Sequence, residues 1–140
     1  IYNLKQPYRL HCDSGHTNNS YYTIIIPLDK KPQGGLFIMN QWSDEAYSLD
    51  DYYTQDYQSV LNFEERKEKI HEFNSDISLP NTLDFKHIKD KRGFSVKEYI
   101  EYEYNTAIMY PGKYYHCSQN VENFTSKKSL AIFTNETLHT

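Results

Sequence analysis

The chain of 140 residues has only two cysteines, five glycines and five prolines. Two cysteines, Cys12 and Cys117, build neither a disulfide framework nor a zinc-finger pattern, so a reduced, cytoplasmic setting is expected. The sequence also lacks internal repeats and low-complexity tracts. These features indicate a single ordered domain spanning residues 1–140, a length at which about 70% of the unfolded surface becomes buried.

Long apolar runs and an excess of basic residues are absent as well. The longest apolar run, TIIIPL, has the length of a strand and is too short to span a bilayer. Fifteen lysines and arginines stand against 19 acidic residues, giving a formal net charge of −4, and the basic residues are scattered. We therefore expect neither a membrane nor a nucleic-acid partner.

Aromatic residues are abundant, with 14 tyrosines and seven phenylalanines. Such a composition favours a β-rich protein with amphipathic aromatic side chains in its pockets. The strand-like segments fall into two groups, and crossover helices do not alternate with them, which favours an antiparallel sandwich or barrel. The predicted strands are 7–13, 21–29 and 36–40 in the first group, and NTAIMYPG, KYYHCSQNV and SKKSLAIFTN in the second.

An insertion of about 41–104 separates the two groups. It begins with an acidic, tyrosine-rich stretch without periodicity, and continues into VLNFEERKEKIHEFN, where apolar residues recur at helical spacing. We expect the EERKEK run to be a solvated helix face, and VKEYIEYEY to form a short helix or an edge strand. The insertion is either a decorative flap or a lid that selects substrates, because long segments between core strands are often functional.

A candidate metal site begins with the histidine and aspartate in YRLHCD. In a strand, residues i and i+2 share a face, so His11 and Asp13 point the same way. His116, in a later strand, supplies the third ligand of a two-histidine, one-carboxylate site, the arrangement of non-heme Fe(II) oxygenases. Strand alternation turns Cys12 and Cys117 away from the metal, as buried thiols.

The alternative is that these three residues are separate strand-end side chains bonded to backbone or water. His16 could extend the motif into a local zinc-like cluster, but its polar turn favours an exposed side chain. We expect three further histidines to be solvated, namely His71, His87 and His139.

Five segments follow one another along the chain: YRLHCD, YYTIIIPLD, GGLFIM, NTAIMYPGKYYHC and KKSLAIF. Their order and spacing resemble the successive core strands of Fe(II)/2-oxoglutarate-dependent dioxygenases, especially the prolyl-hydroxylase-like branch. The resemblance covers about residues 7–40 and 104–134. It implies an all-β double-stranded β-helix, or jelly roll, with a partly helical insertion between core strands.

The same resemblance implies Fe(II) and 2-oxoglutarate as cofactors. In this family a basic residue followed at i+2 by a hydroxyl binds the far carboxylate of 2-oxoglutarate, and Lys127 with Ser129 matches that pattern. Lys128 is the rival to Lys127. Where several relatives have a pocket tyrosine this chain has Pro27, so Tyr22, Thr23 or Tyr110 would have to provide the hydroxyl.

The function implied is hydroxylation of an unactivated C–H bond in a small-molecule or peptidyl substrate, with dioxygen as co-substrate. A free or peptidyl amino acid is the expected substrate class. Two alternatives stay open: a cupin-like, non-oxidative metal enzyme, and a catalytically inactive β-sandwich that acts as a binding module.

Overall fold

A computed structural model describes residues 1–13, 20–45 and 61–135. Within these ranges the secondary structure is mainly β, with one short α-helix, α1, and one 3₁₀ turn at Leu83–Phe85. The strands are β1 (Tyr2–Leu4), β2 (Ser20–Pro27), β3 (Gly35–Trp42), β4 (Val96–Glu101), β5 (Ile108–Pro111), β6 (Tyr114–Ser118) and β7 (Lys127–Asn135); α1 is Phe63–Lys69.

The described strands form two antiparallel sheets. The four-stranded sheet has the order β1-β7-β2-β5, and the three-stranded sheet has the order β4-β3-β6. This arrangement confirms the prediction of an all-β sandwich. None of the helices in the described ranges is long and apolar enough to cross a membrane.

Residues 7–13 were expected to form a regular strand, and this prediction is wrong. The segment contacts β6 at separate points: Ser118 donates to the Tyr8 carbonyl, His11 and His116 exchange backbone bonds, and Asp13 donates to the Gly112 carbonyl. From one contact to the next, the segment 7–13 and its partner around β6 advance by different numbers of residues. The two therefore do not form a continuous ladder of backbone hydrogen bonds. The segment nevertheless follows the β6 edge of the three-stranded sheet.

The three-stranded sheet has apolar side chains on both faces. One face packs against the four-stranded sheet, and the other is covered by the segment 61–95, which contains α1 and the 3₁₀ turn. Buried residues alternate between these two cores, as strand geometry requires. The inter-sheet core contains Ile25, Leu36, Ile38, Tyr102, Ile108 and Tyr110; the second core contains Leu10, Cys12, Met39, Ile70, Leu79, Phe85, Ile88, Phe94, Tyr115 and Cys117.

The predicted insertion differs from the structure in two respects. First, β4 lies within it and pairs with β3 at the edge of the three-stranded sheet, which confirms the edge-strand alternative for VKEYIEYEY and makes 96–101 part of the sandwich. Second, the EERKEK face is not entirely solvated, because Arg66 is only 3% exposed and its guanidinium lies 3.3 Å from the Asp90 carboxylate. The tyrosine-rich part of the predicted lid, 46–60, lies outside the described residues, as do His16 and His139.

We predict that Phe94→Ala lowers the free energy of unfolding by about 3–5 kcal/mol, the usual cost of deleting a buried aromatic ring. Phe94 is fully buried and makes edge contacts with Phe73 and Tyr115. Urea denaturation measures the change, with Leu83→Ala, whose side chain is 45% exposed, as the control. A loss below about 1 kcal/mol in Phe94→Ala would mean that the segment 61–95 does not pack on the sheet as described.

Candidate metal centre

Two backbone hydrogen bonds bring the predicted ligands together. His11 donates to the His116 carbonyl at 3.1 Å, and His116 donates to the His11 carbonyl at 2.8 Å. The two imidazole rings consequently lie 4.3 Å apart between centroids. Asp13 follows two residues later, and the ligand atoms of His11, Asp13 and His116 all lie within 4.8 Å of one another. The structure thus brings together all three residues predicted to bind metal.

Strand alternation explains which side chains face this site. On β6, His116 points into the space between the sheets, whereas its neighbours Tyr115 and Cys117 point into the second core. Cys12 lies in that second core as well, and both cysteines are buried thiols. Their placement agrees with the prediction that neither faces the metal ligands.

The hydrogen bonds of the two imidazoles determine which nitrogen faces the aspartate. Nδ1 of His11 lies 2.7 Å from the Arg9 carbonyl, and Nδ1 of His116 lies 2.8 Å from the Tyr114 carbonyl. Because a carbonyl oxygen only accepts, each Nδ1 must carry the proton, so in a neutral ring Nε2 is the nitrogen whose lone pair can bind a metal. Bonds of this kind orient metal-ligating histidines in many proteins.

The two Nε2 atoms approach the Asp13 carboxylate from different sides. Nε2 of His11 lies 3.5 Å from Oδ1, and Nε2 of His116 lies 3.4 Å from Oδ2. The hydroxyl of Thr23 donates to Oδ2 at 2.6 Å and so fixes the orientation of the carboxylate. Asp13 and His116 are only 5% and 3% exposed, so water screens this cluster poorly.

Charge at the site favours a bound cation. Burial is the largest influence on Asp13 and opposes ionisation, but His116, His11 and Thr23 outweigh it and hold the pKa of Asp13 well below its usual value. Desolvation lowers the pKa of His116 to about 4, so its ring is neutral near pH 7. A carboxylate and imidazole lone pairs therefore converge on one point, where a divalent metal ion satisfies all of them.

A narrow cavity between the sheets adjoins these ligands. The cavity has a volume of about 30 Å³ and opens to solvent. Its walls combine apolar side chains with several hydroxyl groups and one lysine. The lining residues besides the three ligands are Tyr8, Thr23, Ile25, Leu36, Tyr102, Tyr110, Lys127, Ala131 and Phe133.

Lys127 is a buried ammonium at this cavity. It is 3% exposed, its Nζ donates to the Tyr102 hydroxyl at 3.0 Å, and it lies over the Tyr102 and Tyr8 rings at 4.3 and 5.3 Å. Among the described residues no ion pair involves it. Desolvation lowers the pKa of Lys127 to about 8, with the charge of Asp29 opposing the shift. A buried cation of this kind suits an anionic ligand.

The other side chains predicted to lie near the co-substrate differ in whether they line the cavity. Lys128 is exposed, as the alternation of β7 predicts. Ser129 is buried on the same side as Lys127 but does not line the cavity. Three hydroxyl groups were considered as replacements for the tyrosine that several relatives have at the position of Pro27. Thr23 and Tyr110 line the cavity, whereas Tyr22 is 36% exposed.

Two residues of the cavity wall were missed from the sequence, and the expectations for two histidines outside the cavity need correction or detail. Tyr8 and Tyr102 line the cavity, although Tyr102 lies inside the predicted insertion. His87 was expected to be solvated, and this is wrong: it is partly buried, and its Nε2 lies 2.9 Å from the Tyr8 carbonyl. His71 is half-exposed but stacks on Trp42 at 3.8 Å. The only sequence signal for Tyr102 was the alternation of apolar or aromatic residues with glutamates in IEYEY, which places Tyr102 on the same strand face as Ile100.

Comparisons of the chain with protein-family models, curated proteins and solved structures return no match. The chemistry of the site therefore has to be argued from its donor atoms, its tautomers and its charges.

We predict that Thr23→Val lowers the affinity for a divalent metal about 10- to 100-fold, the usual effect of removing a group that orients a ligand. The variant loses the donor to Oδ2 of Asp13 but keeps the side-chain volume. Titration of Mn(II) by calorimetry measures the affinity. Thr23→Ser retains the hydroxyl and should bind nearly as well as the wild type, as should the exposed control Thr125→Val. Equal affinity in Thr23→Val and the wild type would show that this hydrogen bond does not support the site.

Proposed function

We propose that the protein is an Fe(II)- and 2-oxoglutarate-dependent dioxygenase that hydroxylates an unactivated C–H bond. The observation that carries the proposal is one cavity that contains both the His11, Asp13 and His116 cluster and the buried ammonium of Lys127. The cluster offers a metal site, and the ammonium offers a partner for a carboxylate. A co-substrate that chelates metal at one end and carries a carboxylate at the other fits both groups.

The donor set favours iron. Two imidazoles and one carboxylate on one side of a metal leave its other coordination positions open, which is the pattern of non-heme Fe(II) oxygenases. A structural zinc site would more often be closed by four protein ligands, and a fourth ligand is absent from the cluster found among the described residues. Open positions are needed when a co-substrate and dioxygen bind the same ion.

The co-substrate fits the residues of the opposite wall. We infer that Lys127 and the Tyr102 hydroxyl bind the far carboxylate of 2-oxoglutarate, with Tyr110 beside the metal, where its ring lies 4.8 Å from that of His116. Bound Fe(II) and 2-oxoglutarate supply the oxidation: the substrate C–H bond, dioxygen and 2-oxoglutarate become C–OH, succinate and carbon dioxide. The chain itself orients the ligands through Thr23 and excludes water with apolar walls.

We further infer that the sandwich is a jelly roll. If the extended segment 8–13 is counted as a second strand, the described residues form eight strands. The first pairs with the eighth, the second with the seventh, the third with the sixth and the fourth with the fifth. This nested pairing is what results when a long antiparallel hairpin is rolled into two sheets. It agrees with the order of motifs on which the family resemblance rests.

The first test is 2-oxoglutarate turnover without added substrate, because oxygenases of this type consume some co-substrate uncoupled from hydroxylation. We predict Fe(II)-dependent formation of succinate by the wild type. His116→Ala should lose metal binding and succinate formation while keeping its far-UV circular dichroism spectrum. His71→Ala, which removes an exposed imidazole outside the cavity, is the matched control and should keep both.

Each other outcome contradicts the proposal in its own way. Bound metal with no affinity for 2-oxoglutarate would favour a cupin-like, non-oxidative metal enzyme. No bound metal would favour a binding module. Full turnover in His116→Ala would show that the metal lies elsewhere.

We predict that Lys127→Ala weakens 2-oxoglutarate binding by about 2–5 kcal/mol, because truncating one partner of a buried charge pair has that cost. Lys128→Ala is the matched control, since Lys128 is exposed, and should change the binding by less than about 0.5 kcal/mol. Calorimetric titration of 2-oxoglutarate into each Mn(II)-loaded variant measures the difference. The opposite ranking would place Lys128 in the co-substrate site and contradict the described register of β7.

A further inference from the structure

One partly buried histidine, His87, does not line the cavity between the sheets but contacts the segment that carries two of the proposed metal ligands. It follows the 3₁₀ turn at Leu83–Phe85, and its neighbours Phe85 and Ile88 are each 3% exposed in the second core. The backbone on both sides of His87 is thus anchored against the three-stranded sheet. From this position its ring reaches the segment 8–13.

The contact is a hydrogen bond to the first carbonyl of that segment. Nε2 of His87 lies 2.9 Å from the Tyr8 carbonyl, and because a carbonyl only accepts, Nε2 must carry the proton and donate. The same carbonyl accepts from the Ser118 amide at 3.1 Å. Since the segment 8–13 forms no continuous ladder with β6, its position depends on a few separate contacts of this kind.

The second nitrogen of the ring indicates that packing alone does not account for a histidine at this position. Nδ1 is buried and has no hydrogen-bond partner in the described part of the chain. Burying such an acceptor costs free energy, which an apolar side chain of similar size would avoid. Burial also lowers the pKa of His87, with the carbonyls of Tyr8 and Ser118 opposing the shift, so the ring is neutral near pH 7. An apolar residue could not supply the Nε2–H donor, which is directed at the segment 8–13.

Two groups of the proposed site depend on where Tyr8 lies. The next carbonyl along the chain, that of Arg9, accepts from Nδ1 of His11 at 2.7 Å and so orients that ligand. The centre of the Tyr8 ring lies 5.5 Å from the centre of the His11 ring and 5.3 Å from Nζ of Lys127. A shift of the backbone at Tyr8 would therefore alter the metal side and the ammonium side of the cavity together.

We propose that His87 is a positioning residue for the metal centre: its Nε2–H bond fixes the segment 8–13 at Tyr8 and thereby fixes the orientation of His11. The other histidine ligand, His116, needs no such support, because β6 pairs with β3. The positioning stands on the hydrogen bonds alone, whereas its consequence for metal binding rests on the proposed function.

The first test is hydrogen exchange, followed by NMR in metal-free protein, so that it does not depend on a bound ion. The amides of His11 and Asp13 donate to carbonyls of β6 and of the turn before it, and so report how stably the segment 8–13 is held. We expect His87→Leu to speed their exchange at least 10-fold and to leave the amides of β2 unchanged. The urea midpoint should not fall, because leucine removes a buried nitrogen without a partner and the Tyr8 carbonyl keeps its bond to Ser118.

Two further variants separate the hydrogen bond from packing. His87→Gln keeps a side-chain N–H donor and should show the same exchange as the wild type. Lys91→Met is the matched control: it removes a side-chain donor to a carbonyl of the same loop, that of Ile88 at 2.7 Å, and should leave the exchange unchanged. In calorimetric titrations of Mn(II), we expect His87→Leu to bind about 10- to 100-fold more weakly and the other two variants to bind like the wild type.

The inference is overturned if His87→Leu leaves the exchange of the segment 8–13 unchanged, if exchange rises equally in β2, or if His87→Gln behaves like His87→Leu. It is also overturned if the wild type binds Mn(II) and His87→Leu binds it as tightly. Faster exchange confined to the segment 8–13, in a protein that binds no metal, would refute only the proposed function. Fe(II)-dependent succinate formation by the wild type, with unchanged exchange in His87→Leu, would refute only this inference.

Discussion

The paired backbone hydrogen bonds between His11 and His116 are the contact on which the site depends. They bring two distant parts of the sequence together and place both imidazoles on one side of Asp13. Because each Nδ1 is bonded to a carbonyl of its own segment, both Nε2 atoms turn towards the carboxylate. The resulting cluster of acceptors is costly to bury without a cation, and this cost is the physical reason for expecting a metal.

The layers on either side of the three-stranded sheet support this contact. The segment 8–13 is irregular, but Cys12 and Leu10 pack into the core formed with residues 61–95, and His87 bonds to the Tyr8 carbonyl. The four-stranded sheet closes the opposite side and contributes Thr23 and Lys127. The three-stranded sheet thus has the core formed with residues 61–95 on one face and the proposed metal and co-substrate sites on the other.

Strand alternation was sufficient to predict part of the site from the sequence. It placed His11 with Asp13, turned Cys117 away, and distinguished Lys127 from Lys128. It could not find His87, Tyr102 or the buried Arg66, because their surroundings are set by contacts between residues far apart in sequence, which local periodicity does not encode. The same limit explains why residues 7–13 were predicted as a regular strand: their composition suits a strand, whereas the register against β6 is a tertiary property.

The central claim, that His11, Asp13 and His116 bind one metal ion, is tested most directly by anomalous diffraction from crystals grown with Mn(II) as an air-stable substitute for Fe(II). The account predicts one dominant anomalous peak between the sheets, at coordination distance, roughly 2–2.5 Å, from Nε2 of both histidines and from an Asp13 oxygen. A fully ordered site without such a peak, or a peak bound through Nδ1 or at other residues, would contradict it.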